Sequence, residues 1–142
     1  MSRIAVLGTN GDPPGIFLRH IASTIAGRPE IDRVVVIPCG PRPGERRRTD
    51  DTDRALMADL TFAGLANVEV DLSDLEQSSF TPMNELVDRY QAQGHTVSVI
   101  VGSDLVKGGI TNAKIATNVN NGGDVLPRRQ RLPLLHKIFV IF

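Results

Sequence analysis

A doubly wound parallel α/β sheet of about five strands, with helices on both faces, is the fold class this sequence predicts. Three observations predict it. Short, mostly apolar runs recur as IAVL (4–7), VVVI (34–37) and VSVIV (97–101), and such runs suit strands buried on both faces. The stretches between them carry apolar residues at helical spacing. The first run also leads into a loop, GTNGDPPG (8–15), with three glycines and two prolines in eight residues. Strand alternating with helix implies a parallel sheet covered on both sides.

The elements follow in order. Residues 4–7 form the first strand. Phe17, Ile21 and Ile25, with Leu18 and Ala22 beside them, form one apolar helix stripe that Gly27 and Pro29 end. Residues 34–37 are a second strand, stopped by Pro38. A polar loop carries Pro41, Pro43 and the triple Arg46-Arg47-Arg48. Leu56, Leu60 and Ala63, with Met57 alongside, predict a helix over about 52–63. Residues 68–70 make a short third strand. Leu86, Val87 and Tyr90 mark a further helix beginning near Thr81 or Pro82, since proline is comfortable in a first turn. The fourth strand, 97–101, halts at Gly102. Residues 108–131 are Asn/Gly/Arg-rich and poorly patterned, and 138–142 read as a fifth strand.

Composition bounds the function. The 142 residues are 41% hydrophobic and 23% charged, ordinary for one domain spanning 1–142. No repeat or linker divides it. Sixteen Lys and Arg balance sixteen Asp and Glu, so nothing global draws the chain to nucleic acid or an acidic membrane. One cysteine, Cys39, precludes an intrachain disulfide. No run reaches the roughly 18 apolar residues of a membrane helix, and residues 4–7 are too short for a signal peptide. A cytoplasmic protein is expected. A buried-type strand seldom ends a complete domain of this class, so a neighbouring subunit over it, or further chain after it, is expected.

Ligands of open parallel sheets sit beyond the carboxyl ends of the strands. The 8–15 loop lies there and feeds a helix N-terminus, where N–H groups and the helix dipole favour an anion. A plain strand-to-helix turn with Asp12 as cap is the competing reading. Dinucleotide-binding and ATPase-type loops are both excluded. The loop reads G-T-N-G rather than G-x-G-x-x-G, no acid closes the second strand, and no Gly-Lys-Ser/Thr follows. His20, His95 and His136 lack metal-ligand spacing. Ser79 has no nucleophile-elbow context, and Cys39 has no local partner to stabilise a thiolate. The triple arginine is either a phosphate clamp or a solvated loop face.

Five segments in order then carry a family resemblance. IAVLGTNGDPPG resembles the opening of the nicotinate/nicotinamide mononucleotide adenylyltransferases, a strand followed by G-G-S/T-F-D-P-P-H-x-G-H. VVVIPCGPRP is similar to their second strand and its P-x-G-x-P-P loop. Asp53-Arg54-Ala55-Leu56-Met57 resembles H-R-x-x-M. Ser79-Phe80-Thr81 with Leu86 resembles S-Y-T-x-D-T-L with the Leu shifted, and VIVGSDL is similar to I-I-G-A-D-x-L. These cover about residues 3–107. The sibling pantetheine-phosphate adenylyltransferases share only the first motif.

The resemblance implies a single Rossmann-like nucleotidylyltransferase domain lacking the family's C-terminal segment. It implies adenylyl transfer from ATP, with Mg, to nicotinate or nicotinamide mononucleotide or a related phosphate, releasing pyrophosphate and needing no tightly bound cofactor. Gly8, Thr9 and Asn10 would line the phosphate loop. Gly102 and Asp104 would meet the adenosine, Asp104 through the ribose hydroxyls, and Ser79 and Thr81 would approach the pyridine ring. No catalytic residue and no metal ligand is assigned.

The departures are specific. The family's two histidines fall on Gly15 and Leu18, its H-K pair falls on Gly44 and Glu45, and its tryptophan and late I-S-S-T-x-x-R motif are absent. Removing one preorganised charge stabiliser typically costs about 3 kcal/mol. Arg19, Arg42 or the triple arginine are the candidates to substitute. Three readings follow: a divergent nucleotidylyltransferase, a nucleotide-binding or regulatory protein without turnover, and a structural α/β domain of an assembly. Small-molecule nucleotides are the expected partners, and a homo-oligomer through the last strand stays among the expectations.

Overall fold

The computed structural model describes residues 2–41, 49–102 and 137–141. Strand β1 (Arg3–Thr9) is buried without interruption from residue 4 to 7, as a strand covered on both faces must be. Its side chains divide between two cores. Ile4 and Val6 join Val35, Ile37, Leu86, Val87, Val97 and Val99, whereas Ala5 and Leu7 join Ile21, Ala22, Ile25, Val34, Val36 and Phe62. This period-two partition is what places helices on both sides of one sheet.

The first core is closed by α4 (Met83–Ala92), the second by α1 (Gly15–Ala26) and the end of α2 (Asp51–Phe62). β2 (Arg33–Pro38), β3 (Val68–Val70), β4 (Thr96–Gly102) and β5 (Lys137–Ile141) complete the sheet, and the five-residue α3 (Ser73–Gln77) follows β3. The order is β3-β2-β1-β4-β5, with every pairing parallel. A fully buried Val or Ile contributes roughly 1.5–3 kcal/mol, so residues 34–37 of β2 anchor the sheet far more firmly than local propensity does.

Two helix faces differ from the sequence expectation. In α2 the buried residues are Arg54, Ala58 and Phe62, while Leu56 and Leu60 are 57% and 68% exposed. Both sets keep a four-residue spacing, and they lie about 200° apart around the helix. The charged set faces inward because Arg54 finds a backbone partner there and Phe62 completes the core. In α1 the buried set is Ile21, Ala22, Ile25 and Ala26, and Phe17 is exposed. Periodicity identifies a helix face without saying where along it the cover begins. The poorly patterned segment 108–131 lies outside the described residues.

Candidate functional site

The sheet splits open at one place. β1 pairs with β4 only as far as Val6↔Val99. β1 continues beside β2 to Thr9↔Pro38, and β4 continues beside β5 to Gly102↔Ile141. Both strands therefore run three residues past their last mutual pair, each with a different neighbour. The chain winds from β1 toward β2 and β3 on one side and returns to β4 on the other, which makes this the topological switch point where open α/β sheets bind ligands. Gly8 and Thr9 end one lip, with Asn10 next to them, and Gly102 ends the other. Asp104 lies outside the described residues.

The loop beside the split is built for close backbone approach. Gly11 and Gly15 have φ of +56° and +76°, a region L side chains rarely occupy. The Thr9 hydroxyl oxygen accepts the Gly11 N–H at 3.1 Å, tightening the turn. α1 then begins behind Pro14 with no side-chain cap and no acid in its first turn. The residue at the N-cap is Pro14 rather than Asp12, and the Asp12 carboxylate accepts the Thr49 N–H at 3.1 Å. The helix dipole and first-turn N–H groups of α1 face the loop with no acid in the helix's own first turn. α2 contrasts with it, carrying Asp51 and Asp53 in its first turn.

Two buried charged side chains hold the loops in place, and sequence reasoning missed the role of both. Arg54, 0% exposed, donates from Nε to the Asn10 carbonyl at 3.1 Å and grips the same oxygen with Nη2. Its Nη1 reaches Asp51 at 3.4 Å, and Asp51 in turn accepts from the Ser78 hydroxyl at 3.4 Å. Its place in the H-R-x-x-M-like segment was the available signal. Asp74, 1% exposed, accepts from the Thr81 N–H (2.9 Å), the Thr81 hydroxyl (2.6 Å) and the Gly40 N–H (3.3 Å). No motif pointed to it, because it lies in α3, too short to show a period.

These contacts gather the predicted residues. A Cβ added at Gly40 would stand 1.9 Å from the Ser79 carbonyl oxygen, so glycine alone lets the loop after β2 touch the 78–82 segment. A Cβ at Gly8 would meet the Met83 methyl at 2.9 Å, and the Cys39 N–H donates to the Thr9 carbonyl at 2.9 Å. Gly8, Thr9, Asn10, Ser79 and Thr81 thus share one rim at the carboxyl edge. The Cys39 thiol is buried beside it, 3.6 Å from the Asn10 side-chain oxygen.

The positions that resemble the family's histidines differ from each other. Gly15 is exposed, with open space where a Cβ would sit, whereas Leu18 packs against the α1-side core. Arg19 Nη1 is engaged elsewhere, donating to the carbonyls of Thr61 and Ala63, both at 2.8 Å, and closing the end of α2. Arg42 and the triple arginine lie outside the described residues, as does His136. His20 is exposed, and His95 sits at the opposite edge, its Nε2 3.4 Å from Arg33. Among the described residues no cluster of three His, Cys, Asp or Glu could hold a metal, and no helix is long and apolar enough to cross a membrane.

Strand order, split sheet and glycine loop together define an open, doubly wound Rossmann-like α/β fold with its switch point between β1 and β4. No family model matches the chain, and no curated protein matches it. Solved structures do. A Plasmodium falciparum nicotinic acid mononucleotide adenylyltransferase complexed with NaAD aligns over 99% of this chain and 75% of its own, with a TM-score of 0.66 at 18% identity. The same enzyme complexed with APC gives 0.63 at 18% identity over 99% and 74%. A Vibrio parahaemolyticus protein assigned as a nicotinate-nucleotide adenylyltransferase gives 0.62 at 19% over 98% and 73%. The fold matches the one that the sequence resemblance implied.

Proposed function

We propose that the protein is a nucleotidylyltransferase that transfers the adenylyl group of Mg-ATP to nicotinate or nicotinamide mononucleotide, or to a related phosphate. The observation that carries this is the three-residue split between β1 and β4, flanked by the glycine loop and the uncapped start of α1. The structural neighbours include an enzyme named for nicotinic acid mononucleotide and complexed with NaAD and with APC. In this reading a phosphate oxygen of the mononucleotide attacks the α-phosphorus of ATP. A new P–O bond forms, the bond to the β-phosphate oxygen breaks, and pyrophosphate leaves with the electron pair. The backbone of Gly8 to Asn10 and the α1 N-terminus seat phosphate oxygens, Gly102 and Asp104 take the adenosine side, and Ser79 and Thr81 take the mononucleotide. Catalysis of this kind is mostly positioning and charge stabilisation. A cytoplasmic, small-molecule role fits the balanced charge.

One observation favours a second reading, nucleotide binding without turnover. The two α1 positions that hold histidines in the resembling family are Gly15 and Leu18 here, and Arg19 is engaged with α2. The test is an assay at high enzyme concentration with ATP, magnesium and both mononucleotides, products separated by chromatography, and Asp104→Ala in parallel. Dinucleotide formed by the native chain and lost in the variant supports transfer. No product but Asp104-dependent ATP binding moves the protein to the second reading, and unchanged ATP affinity in Asp104→Ala removes both.

A further inference from the structure

Three of the four exposed large apolar side chains among the described residues, Ile16, Leu56 and Leu60, share one face. Ile16, 83% exposed, and Leu60 line an open cleft of about 490 Å³ between α1 and α2, together with Pro14, Arg19 and Met57. Leu56 stands one turn before Leu60, on the side of α2 opposite Arg54, Ala58 and Phe62. Phe17, the fourth, lies about 100° round α1 from Ile16 and outside the cleft. A single exposed leucine needs no explanation, whereas adjoining ones mark a surface that another molecule covers.

Charge is arranged along the same face. At its start the Asp53 carboxylate, in the first turn of α2, has no hydrogen bond or ion pair among the described residues. At its end stands Arg19, whose Nη1 holds the Thr61 and Ala63 carbonyls. The other nitrogens of that guanidinium have no partner among the described residues. The leucines lie between acid and base.

We infer that two copies of the chain associate through this α1–α2 face, rather than through the edge strand β5, with their α2 helices antiparallel about a two-fold axis. Helix register carries the inference. Antiparallel pairing that sets Leu56 level with Leu60 of the second copy also sets Asp53 level with its Ala63, three residues beyond each leucine. Ala63 is where Arg19 is held, so each unpartnered carboxylate meets a guanidinium of the other copy, twice over by symmetry. Leu56 does not line its own cleft and is the side chain available to enter the other's. One surface thus supplies both projection and recess, as a two-fold contact requires. A small ligand in the cleft would leave Leu56 in water and Asp53 unanswered.

Sedimentation equilibrium of the full chain over a wide concentration range tests this. The mass should rise from one chain to two and stop there, because a two-fold contact closes. Leu56→Lys should weaken association at least ~10-fold and keep the native circular dichroism, since the position is exposed; Leu60→Lys should act in the same direction. Asp53→Asn should weaken it about 2- to 5-fold at low salt and leave it unchanged at high salt. Phe17→Lys, a change outside the cleft, should leave the dimer intact. A chain that stays monomeric, masses that grow past two, or a dimer that survives Leu56→Lys would overturn the inference. So would equal weakening by Phe17→Lys, or tighter association of Asp53→Asn, which would mean parallel helices.

Discussion

The two edges of the sheet use charge in opposite ways. At the amino edge the ion pairs are open to water: Arg3 meets Asp32 at 2.9 Å with side chains 50% and 43% exposed, and Arg33 meets Glu69 at 2.9 Å across β2 and β3. At the carboxyl edge Arg54 and Asp74 are fully buried, and most of their bonds go to backbone groups of the loops around the split. Exposed pairs are screened and contribute little. A buried charge is costly unless its hydrogen bonds are made, so it persists where it fixes a loop geometry that apolar packing cannot. The difference teaches that the carboxyl edge is held to one shape and the amino edge is only closed off.

The sharpest way to break this contrast is at glycine. Gly40→Ala forces a Cβ to 1.9 Å from the Ser79 carbonyl and is expected to cost about 4 kcal/mol or more in chemical denaturation. Gly27→Ala, at the far end of α1 where the nearest atom is 3.5 Å away, should stay within about 0.5 kcal/mol. Equal losses would mean that the close approach at Gly40 is relieved by loop movement.

Next in size is Arg54→Ala. It leaves the Asn10 carbonyl and Asp51 without their guanidinium partner and opens a cavity beneath the loop, an expected loss of about 3 kcal/mol. Hydrogen exchange should show loosening of residues 8–12 before the sheet opens. Arg54→Lys should recover only part, since an ammonium cannot reproduce the planar fork. Arg3→Ala, its amino-edge counterpart, should move the denaturation midpoint far less.

A smaller effect is expected where Tyr90 donates to Asp71 at 2.5 Å. Burial pushes the Asp71 carboxyl up, but hydrogen bonds from Ser73 and Tyr90 outweigh it and hold the group below its usual range. A lowered carboxyl contributes stability that is present above its unfolded value and lost as pH falls through the folded one. Burial, followed by the bond to Asp71, raises the Tyr90 phenol; its share is complete below about pH 10 and fades above it. Tyr90→Phe should therefore cost about 2 kcal/mol at neutral pH and flatten the stability loss below about pH 4.

The smallest effect lies at the amino edge. Hydrogen bonds from the Arg3 side chain and backbone hold the Asp32 carboxyl at about 2. Carboxyl titration by NMR should find it there, and Arg3→Ala should return it only part of the way toward the ordinary range, since residue 3 keeps its backbone N–H bond to Asp32, with a loss of stability at neutral pH that matches the part returned. A persistently low value in that variant would assign the shift to the residue 3 backbone N–H rather than to the guanidinium.

Much of the fold was legible because burial on both faces leaves an unmistakable local record. The runs at 4–7, 34–37 and 97–101 lie in β1, β2 and β4, and the glycine loop announced the carboxyl edge. The α2 face was misread because Leu56 and Leu60 keep the same spacing as Arg54, Ala58 and Phe62. Hydropathy ranks leucine above arginine, while the structure ranks them by available partners. Asp74 was invisible because a single acid in a five-residue helix has no pattern to belong to.

The strand-helix alternation, the parallel doubly wound class and the glycine loop at 8–15 were readable from the sequence, since each follows from local periodicity and backbone permission. Only the tertiary structure decided where β1 and β4 part, that Arg54 turns inward to the Asn10 carbonyl, and that Asp74 consumes the donors of Thr81. Each of these depends on which neighbour a strand or side chain finds across the fold, and hydrogen-bond satisfaction of a buried group is a property of that neighbourhood rather than of the residue.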